Sequence, residues 1–312
     1  MKHIFIINPT AGKTNAAQKL VPQLQQAKER LGVDLDYILT EHSGHAIELA
    51  RDAVAALGAD EELRLYGCGG DGTLNEVLCG VYENGPRKNV AVGHIPCGSG
   101  NDMLRNFGKA EDFRNIERML RGTVRTIDLI EANGRLTASI CAAGLDAKIT
   151  HNLPMFRRLP LCGGSVAYDL SVLTCLFGKL GYRMTVEYEG GTLQGEYLLL
   201  AIGNGSYYGG GYCCLPQARV DDGVLNAVLV KKMPLTRMVP MLGVYKAGKH
   251  FDENGEIIPE YRDVIDALVT RKIRISCDRD FYYVMDGEVA SSKQLDVRVL
   301  PDAAQFILPA GL

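Results

Sequence analysis

Three short stretches of this sequence have residue types that could hold an anion. Gly69-Gly70-Asp71-Gly72-Thr73-Leu74-Asn75-Glu76 follows the apolar run Leu63 to Tyr66 and leads into a helical pattern. Its glycines let the backbone turn tightly and approach a ligand, while the first N–H groups of the following helix lack intrahelical partners. Such a site favours anions; the plain alternative is a strand-to-helix turn with Asp71 or Thr73 as the cap. Pro96-Cys97-Gly98-Ser99-Gly100-Asn101-Asp102 repeats the design after Val90 to Ile95, and Asn8-Pro9-Thr10-Ala11-Gly12-Lys13 follows Ile4 to Ile7. Gly12-Lys13-Thr14 is not a P-loop, because Ile7 stands where that pattern needs glycine, and no Gly-x-Gly-x-x-Gly leaves the first strand.

These loops need a scaffold, and the first third of the chain supplies one. Strand-like runs at Ile4 to Ile7, Asp34 to Leu39, Leu63 to Tyr66 and Val90 to Ile95 alternate with helical periodicity at Ala16 to Leu31, His45 to Leu57 and from about Thr73. Strands separated by helices predict a mainly parallel sheet, which places all three loops at its carboxyl edge, where ligand crevices form. A further helical segment is expected near Met103, and the layer is expected to end near Thr126.

Beyond Thr126 the pattern changes to strands at Thr126 to Glu131, Leu136 to Ala142, Tyr182 to Glu189, Gly195 to Ile202, Val224 to Val230 and Lys272 to Cys277. Turn residues such as Asn133-Gly134 separate several of them, which predicts an antiparallel sandwich or barrel. Helices are expected at about Ser165 to Gly178 and at Leu235 to Lys246, and last strands at Leu295 to Leu300 and Gln305 to Leu308. Asp221-Asp222-Gly223 and Asp286-Gly287-Glu288, taken alone, read as turns.

The 312 residues suffice for two cores, and 46% hydrophobic with 23% charged residues is a globular composition. A net charge of −3 provides no field to hold a polyanion, which excludes a general nucleic-acid binder. No apolar run reaches membrane-spanning length, and Met1 to Ile7 is too short for a signal peptide. Nine cysteines, an odd count without Cys-x-x-Cys, fit reduced thiols in a cytoplasm, and His42 and His45 read as loop residues rather than ligands.

Together the motifs resemble the soluble diacylglycerol kinase and sphingosine kinase superfamily, particularly its bacterial lipid kinases. The resemblance runs through Asn8 to Lys13, Gly69 to Glu76, Pro96 to Asp102, Gly209-Gly210-Gly211 with Pro216, Asp221 to Gly223 and Asp286 to Glu288, in that family's order and spacing. Gly-Gly-Asp-Gly-Thr is shared with NAD kinases and phosphofructokinases, so the lipid-kinase reading rests on Asn101-Asp102 and the later motifs. Ser99 departs from the family's threonine but keeps the hydroxyl.

The resemblance implies α/β plus all-β architecture: a Rossmann-like nucleotide domain at 1–126, an antiparallel β-sandwich lipid-substrate domain at 127–290, and 291–312 packing back on the first domain. It implies ATP and Mg²⁺ as cofactors and transfer of the γ-phosphoryl to a lipid hydroxyl, first of all diacylglycerol to phosphatidic acid. A soluble-acceptor kinase such as an NAD kinase and a catalytically silent lipid-binding protein are the alternatives. Asn8 to Lys13, Thr40, Gly70 to Glu76, Ser99, Asn101 and Asp102 would contact the nucleotide. Asp71, like-charged with phosphate, would bond sugar or loop or act through a metal. Glu288 is the first choice of base and Asp286 the second, while Asp222 with the carbonyls of Arg219 and Val224 would hold a structural Mg²⁺. The expected partner is lipid at a membrane surface, met transiently by a cytoplasmic protein, and a homodimer is an open possibility. Met155 to Leu159, with Arg157-Arg158, and Leu161 to Phe177 have the composition of a membrane-dipping segment or of a core helix with a solvated Arg pair.

Overall fold

The computed structural model describes the chain except residues 13–14, 59, 99, 158–170, 172–173, 176–180 and 286. Strand β1 (Lys2–Ile7) is buried from its second residue on and lies at the centre of the first layer. Helix α1 (Ala16–Leu31) keeps the bounds expected from its periodicity, because both ends carry stop signals. Asn15 Oδ1 accepts from Ala17 N at 2.9 Å, and Gly32 closes the helix in the left-handed region at φ 61°.

Strand β2 (Leu35–Leu39), helix α2 (His45–Ala55), strand β3 (Leu63–Gly69), helix α3 (Asp71–Tyr82) and strand β4 (Val90–Pro96) complete the alternation. His45 is the first residue of α2 rather than a loop residue. The strands pair in parallel in the order β2-β1-β3-β4. Helix α2 packs on α3, and α1 on the short α4 (Ile116–Leu120). Near Met103 the chain forms a single 3₁₀ turn, Met103–Asn106, in place of a longer helix.

Strand β5 (Thr123–Ala132) turns at Asn133 and Gly134, both left-handed, into β6 (Arg135–Thr137). The expected strand over Leu136 to Ala142 is interrupted, and β7 (Ile140–Gly144) runs straight into an unanticipated helix, α5 (Leu145–Arg157). Next come β8 (Tyr182–Tyr188), β9 (Gly191–Gly203), the two-residue β10 (Tyr207–Tyr208) and β11 (Tyr212–Cys213), and β12 (Leu225–Lys231). Helix α6 (Leu235–Lys246) matches its expected bounds, and β13 (Ile265–Thr270) precedes two long strands, β14 (Lys272–Met285) and β15 (Glu288–Leu308). The Arg157 side chain, Arg158 and nearly all of the helix expected at Ser165 to Gly178 lie outside the described residues. No helix among the described residues is long and apolar enough to cross a membrane.

Strands β9 and β14 each pair with both β7 and β8, which bends this part of the sheet around a core of Leu200, Ile275, Phe281 and Leu295. The two expected C-terminal strands are one. Strand β15 pairs antiparallel with β14 and β5 and ends beside β4 at Phe306, so one strand runs from the second layer into the first. Where its register shifts, between Leu300 and Ala304, Asp302 adopts φ 52°.

Candidate active site

The three glycine-bearing loops meet at the carboxyl edge of β1, β3 and β4. Cys97 N and Gly98 N donate to Gly69 O at 2.7 and 3.1 Å, which closes the second loop onto the first. A Cβ at Gly98 would lie 2.7 Å from Gly70 Cα, and one at Gly12, already at φ 84°, would lie 2.3 Å from Cys97 O. Glycine is therefore required where backbone packs on backbone.

Gly70 is the N-cap residue of α3 and no side chain caps the helix, so neither Asp71 nor Thr73 performs that task. The first helical bond is Leu74 N to Gly70 O at 3.2 Å, so the preceding N–H groups of the first turn, at a helix start that lines the cleft, have no intrahelical partner. Asn8 Nδ2 donates to the Thr73 hydroxyl at 3.4 Å, while Asn8 Oδ1 accepts from Thr10 N at 3.0 Å and Thr10 Oγ1 at 2.8 Å. Asp71 accepts from Met103 N at 3.4 Å, so its carboxylate braces the second loop. Burial pushes the Asp71 carboxyl up, against the pull of the N–H groups of Met103, Asn101 and Asp102.

Glu76 spends both oxygens on the start of α2, accepting from Gly44 N at 3.0 Å and Ala46 N at 3.2 Å. Thr40, whose N–H donates to Ile7 O at 2.9 Å, opens the loop that this carboxylate holds. Asn101 sits at φ 53° and donates through Nδ2 to Gly98 O at 2.9 Å. Asn75 Oδ1 is buried with no hydrogen-bond partner among the described residues. Lys13 and Ser99 lie outside the described residues.

Across a cleft of about 850 Å³ stands a wall from the second layer, formed by β7, the start of α5 and the Tyr207–Tyr212 loop. Asp102 Oδ2 joins the two sides by accepting from Gly210 N at 2.7 Å, and Ser206 N donates to Asn106 Oδ1 at 2.8 Å. Burial, and next the like charge of Asp71, push the Asp102 carboxyl up, although it also pairs with Arg105. On that wall Asp146 accepts from the Tyr208 hydroxyl, and desolvation pushes its carboxyl up to about 6.

The two acidic turns take different positions. Val224 N donates to Asp222 Oδ1 at 3.2 Å, and Asp222 is exposed. Asp221 instead pairs with Arg125 and, at 3.7 Å, with Arg219. Beneath the turn lies the buried carboxylate of Asp128, which accepts from Gly223 N at 2.7 Å and from Asp302 N at 2.9 Å. Burial pushes the Asp128 carboxyl up, and the nearby charges of Asp302 and Asp222 add to it. The turn thus gathers the negative charges of Asp128, Asp222 and Asp302, and carboxylate oxygens are of the type a divalent cation takes.

At the β14–β15 turn Gly287 lines the large cleft, whereas Glu288 pairs with Arg135 and lines an adjacent cleft of about 610 Å³. Asp286 lies outside the described residues. Sequence reasoning missed Asp128, Arg135 and Asp146. Asp128 sits in a strand and Arg135 in a hairpin with nothing local to mark them, while Asp146 followed Gly144-Leu145 at a strand end, a signal of the kind that identified the first three loops.

The diacylglycerol kinase catalytic domain family matches residues 2–132, and the YegS C-terminal NAD kinase beta sandwich-like domain matches residues 139–308. A protein named diacylglycerol kinase from Bacillus subtilis is 26% identical over 286 residues, covering 91% of both chains. A probable lipid kinase YegS-like protein from Pseudomonas aeruginosa is 31% identical over 290 residues, covering 91% of this chain and 88% of its own. Among solved structures, a putative diacylglycerol kinase from Bacillus anthracis superposes with a TM-score of 0.74 at 22% identity, covering 98% of this chain and 94% of that one. This last likeness concerns the fold.

Proposed function

The chain belongs to the diacylglycerol kinase and YegS-like lipid kinase family, and from that premise we propose that it transfers the γ-phosphoryl of ATP to the hydroxyl of diacylglycerol, giving phosphatidic acid and ADP. The observation that carries this reading is the convergence of three glycine-bearing loops on the uncapped start of α3. Free N–H groups and the positive end of the helix there suit the nucleotide's phosphates.

Phosphoryl transfer asks mainly for alignment and charge neutralisation. Asn8, Thr10, Thr40 and the Gly70 to Glu76 turn hold the nucleotide, and Asp71 keeps the second loop seated by bonding Met103 N. Lys13, Ser99, Asn101 and Asp102 belong to the same set by their place in the loops. Mg²⁺, when bound, supplies positive charge against the phosphate oxygens or order to the second layer. Asp222, with the carbonyls of Arg219 and Val224, is the set that would hold a structural ion.

The β14–β15 turn provides the base. Glu288 takes the proton of the acceptor hydroxyl, whose oxygen then bonds to the γ-phosphorus as ADP leaves. In the structure Glu288 is paired with Arg135, so it reaches the acceptor by leaving that partner. Asp286, two positions earlier in the sequence, is the second acid available. The protein is read as cytoplasmic and as meeting its lipid at a membrane surface.

The test is γ-labelled ATP with diacylglycerol, monoacylglycerol, sphingosine, ceramide, phosphatidylglycerol, undecaprenol and NAD in separate reactions. Labelled phosphatidic acid is expected. Labelled NADP without detergent would make it a soluble-acceptor kinase, and lipid binding without ATP consumption would make it a silent binding protein.

A further inference from the structure

The second-layer wall of the large cleft carries a carboxylate that holding the nucleotide does not use. Asp146 is the second residue of α5, directly after β7, and lines the cleft opposite the phosphate-binding loops. Tyr208, from the two-residue strand β10, donates its hydroxyl to Asp146 Oδ2 and fixes the carboxylate's direction. The residue keeps partial exposure, although desolvation is strong enough to push its carboxyl up to about 6. Among the described residues no cation pairs with it.

A poorly solvated carboxylate without a counter-charge costs stability, so its presence in a cleft wall calls for a ligand. Its neighbours describe that ligand. Ile140, Ala142 and Val284 make the adjoining wall apolar. Thr150 and Tyr208, both hydroxyl-bearing, line the same cleft, and Tyr208 donates its hydroxyl to Asp146. Hydrogen-bonding groups beside a hydrocarbon surface match the place where a lipid's polar head joins its chain.

We propose that Asp146, oriented by Tyr208, is an acceptor-binding residue whose carboxylate takes a hydrogen bond from a hydroxyl of the acceptor's head group. This rests on the lipid-kinase reading above and adds to it the wall on which the acceptor sits. Asp146 determines specificity: it favours alcohol head groups that present a hydroxyl to the second-layer wall and disfavours anionic ones that would place charge against it. Tyr208 acts through Asp146 and is a positioning residue.

The experiment uses the full chain with 1,2-dioctanoylglycerol and 1-mono-octanoylglycerol as separate acceptors. Turnover by the wild type tests the lipid-kinase reading, and the variants test the proposal. Asp146→Asn should raise the acceptor KM by about 10- to 100-fold, the range for a hydrogen bond to a charged group, with ATP affinity by calorimetry unchanged. A rise for both acceptors places the contact on the reacting hydroxyl before transfer, its hydrogen turning from Asp146 to Glu288 as the reaction begins; a rise for the monoacyl compound alone assigns it to the neighbouring hydroxyl. Tyr208→Phe keeps the carboxylate but frees it, and should raise the same KM by a smaller factor, so it decides the matter should the Asn variant not fold. Unchanged KM and kcat for both acceptors, or a matching loss of ATP affinity, would overturn the proposal.

Discussion

Asp102 Oδ2 accepts a 2.7 Å hydrogen bond from Gly210 N, so the second glycine-bearing loop is tied to the glycine loop of the opposite layer. The carboxylate is 11% exposed, and its other oxygen takes Arg105 Nε at 3.2 Å. Together with the Ser206 N to Asn106 Oδ1 bond it joins the two sides of the cleft. Asp102→Ala leaves the Gly210 N–H without this acceptor, at a cost of about 1–3 kcal/mol. The expected outcome is a lower Tm together with a lower kcat, whereas Asp102→Asn, which still offers an oxygen to Gly210, should keep most of the Tm. Equal Tm values for wild type and the Ala variant would show that the bond does not hold the layers together.

Gly98→Ala tests the packing of loop on loop. The added Cβ would meet Gly70 Cα at 2.7 Å, and backbone cannot rotate aside as a long side chain can. The two loops must separate, so ATP affinity measured by calorimetry should fall at least tenfold while far-ultraviolet circular dichroism stays that of wild type. An unchanged Kd would mean that the nucleotide does not depend on the Gly70–Gly98 contact.

Asp146 makes a prediction about stability and pH that needs no substrate. Its folded carboxyl sits at about 6 against an ordinary 3.8, so between these values the folded chain binds the proton that the unfolded chain releases. Stability from this group is therefore full below pH 3.8, is lost as pH rises to about 6, and stays lost above. Asp146→Asn removes the charge and should be the more stable protein at pH 7, by at most about 3 kcal/mol for a two-unit shift. The check is Tm against pH for both proteins: the curves should separate between pH 4 and 6. Parallel curves would sink the assignment.

What the sequence disclosed and what it withheld follow from the range of the forces involved. Helix α1 was legible to the residue because Asn15 and Gly32 are local signals, and the three loops were legible because each glycine cluster directly follows its strand. Helix α5 was not, since Ile149, Thr150 and Pro154 lower its propensity and β7 runs into it without a turn. Asp128 was also out of reach. Its two partners, Gly223 N and Asp302 N, lie far along the chain, and a buried carboxylate in a strand announces itself only when those segments are folded together. The orientation of Glu288 depends likewise on Arg135, a hairpin residue distant in sequence.

That pairing separates two roles for Glu288. If Glu288 is the base, Glu288→Gln should lower kcat by roughly 10²- to 10⁴-fold with ATP affinity and Tm near wild type. Arg135→Ala, which removes the partner and leaves the acid, should retain turnover. Because both side chains are more than half exposed, breaking the pair should move stability by no more than about 1 kcal/mol. Full turnover in Glu288→Gln would transfer the role to Asp286, and full turnover in Asp286→Asn as well would remove this turn from the chemistry.

The Asp221–Gly223 turn gives the test by metal removal. Asp128 already serves Gly223 N and Asp302 N, and the charges of Asp302 and Asp222 beside it are unfavourable unless a cation offsets them. A ligand that binds the folded chain and not the unfolded one stabilises it by mass action, so Mg²⁺ held by Asp222 should raise Tm with concentration and chelation should lower it. Asp222→Asn weakens the one carboxylate of the set while keeping its shape, and Val224 N can still donate to the amide oxygen. The variant should therefore need more Mg²⁺ to reach the wild-type Tm, and its activity should recover along the same titration. Glu288→Gln should show no such recovery, because its loss is of a proton acceptor and not of an ion. A Tm in the wild type that ignores both Mg²⁺ and chelator, measured by calorimetry with ATP absent, would remove the structural ion from this turn and leave Asp222 as the closing residue of a hairpin.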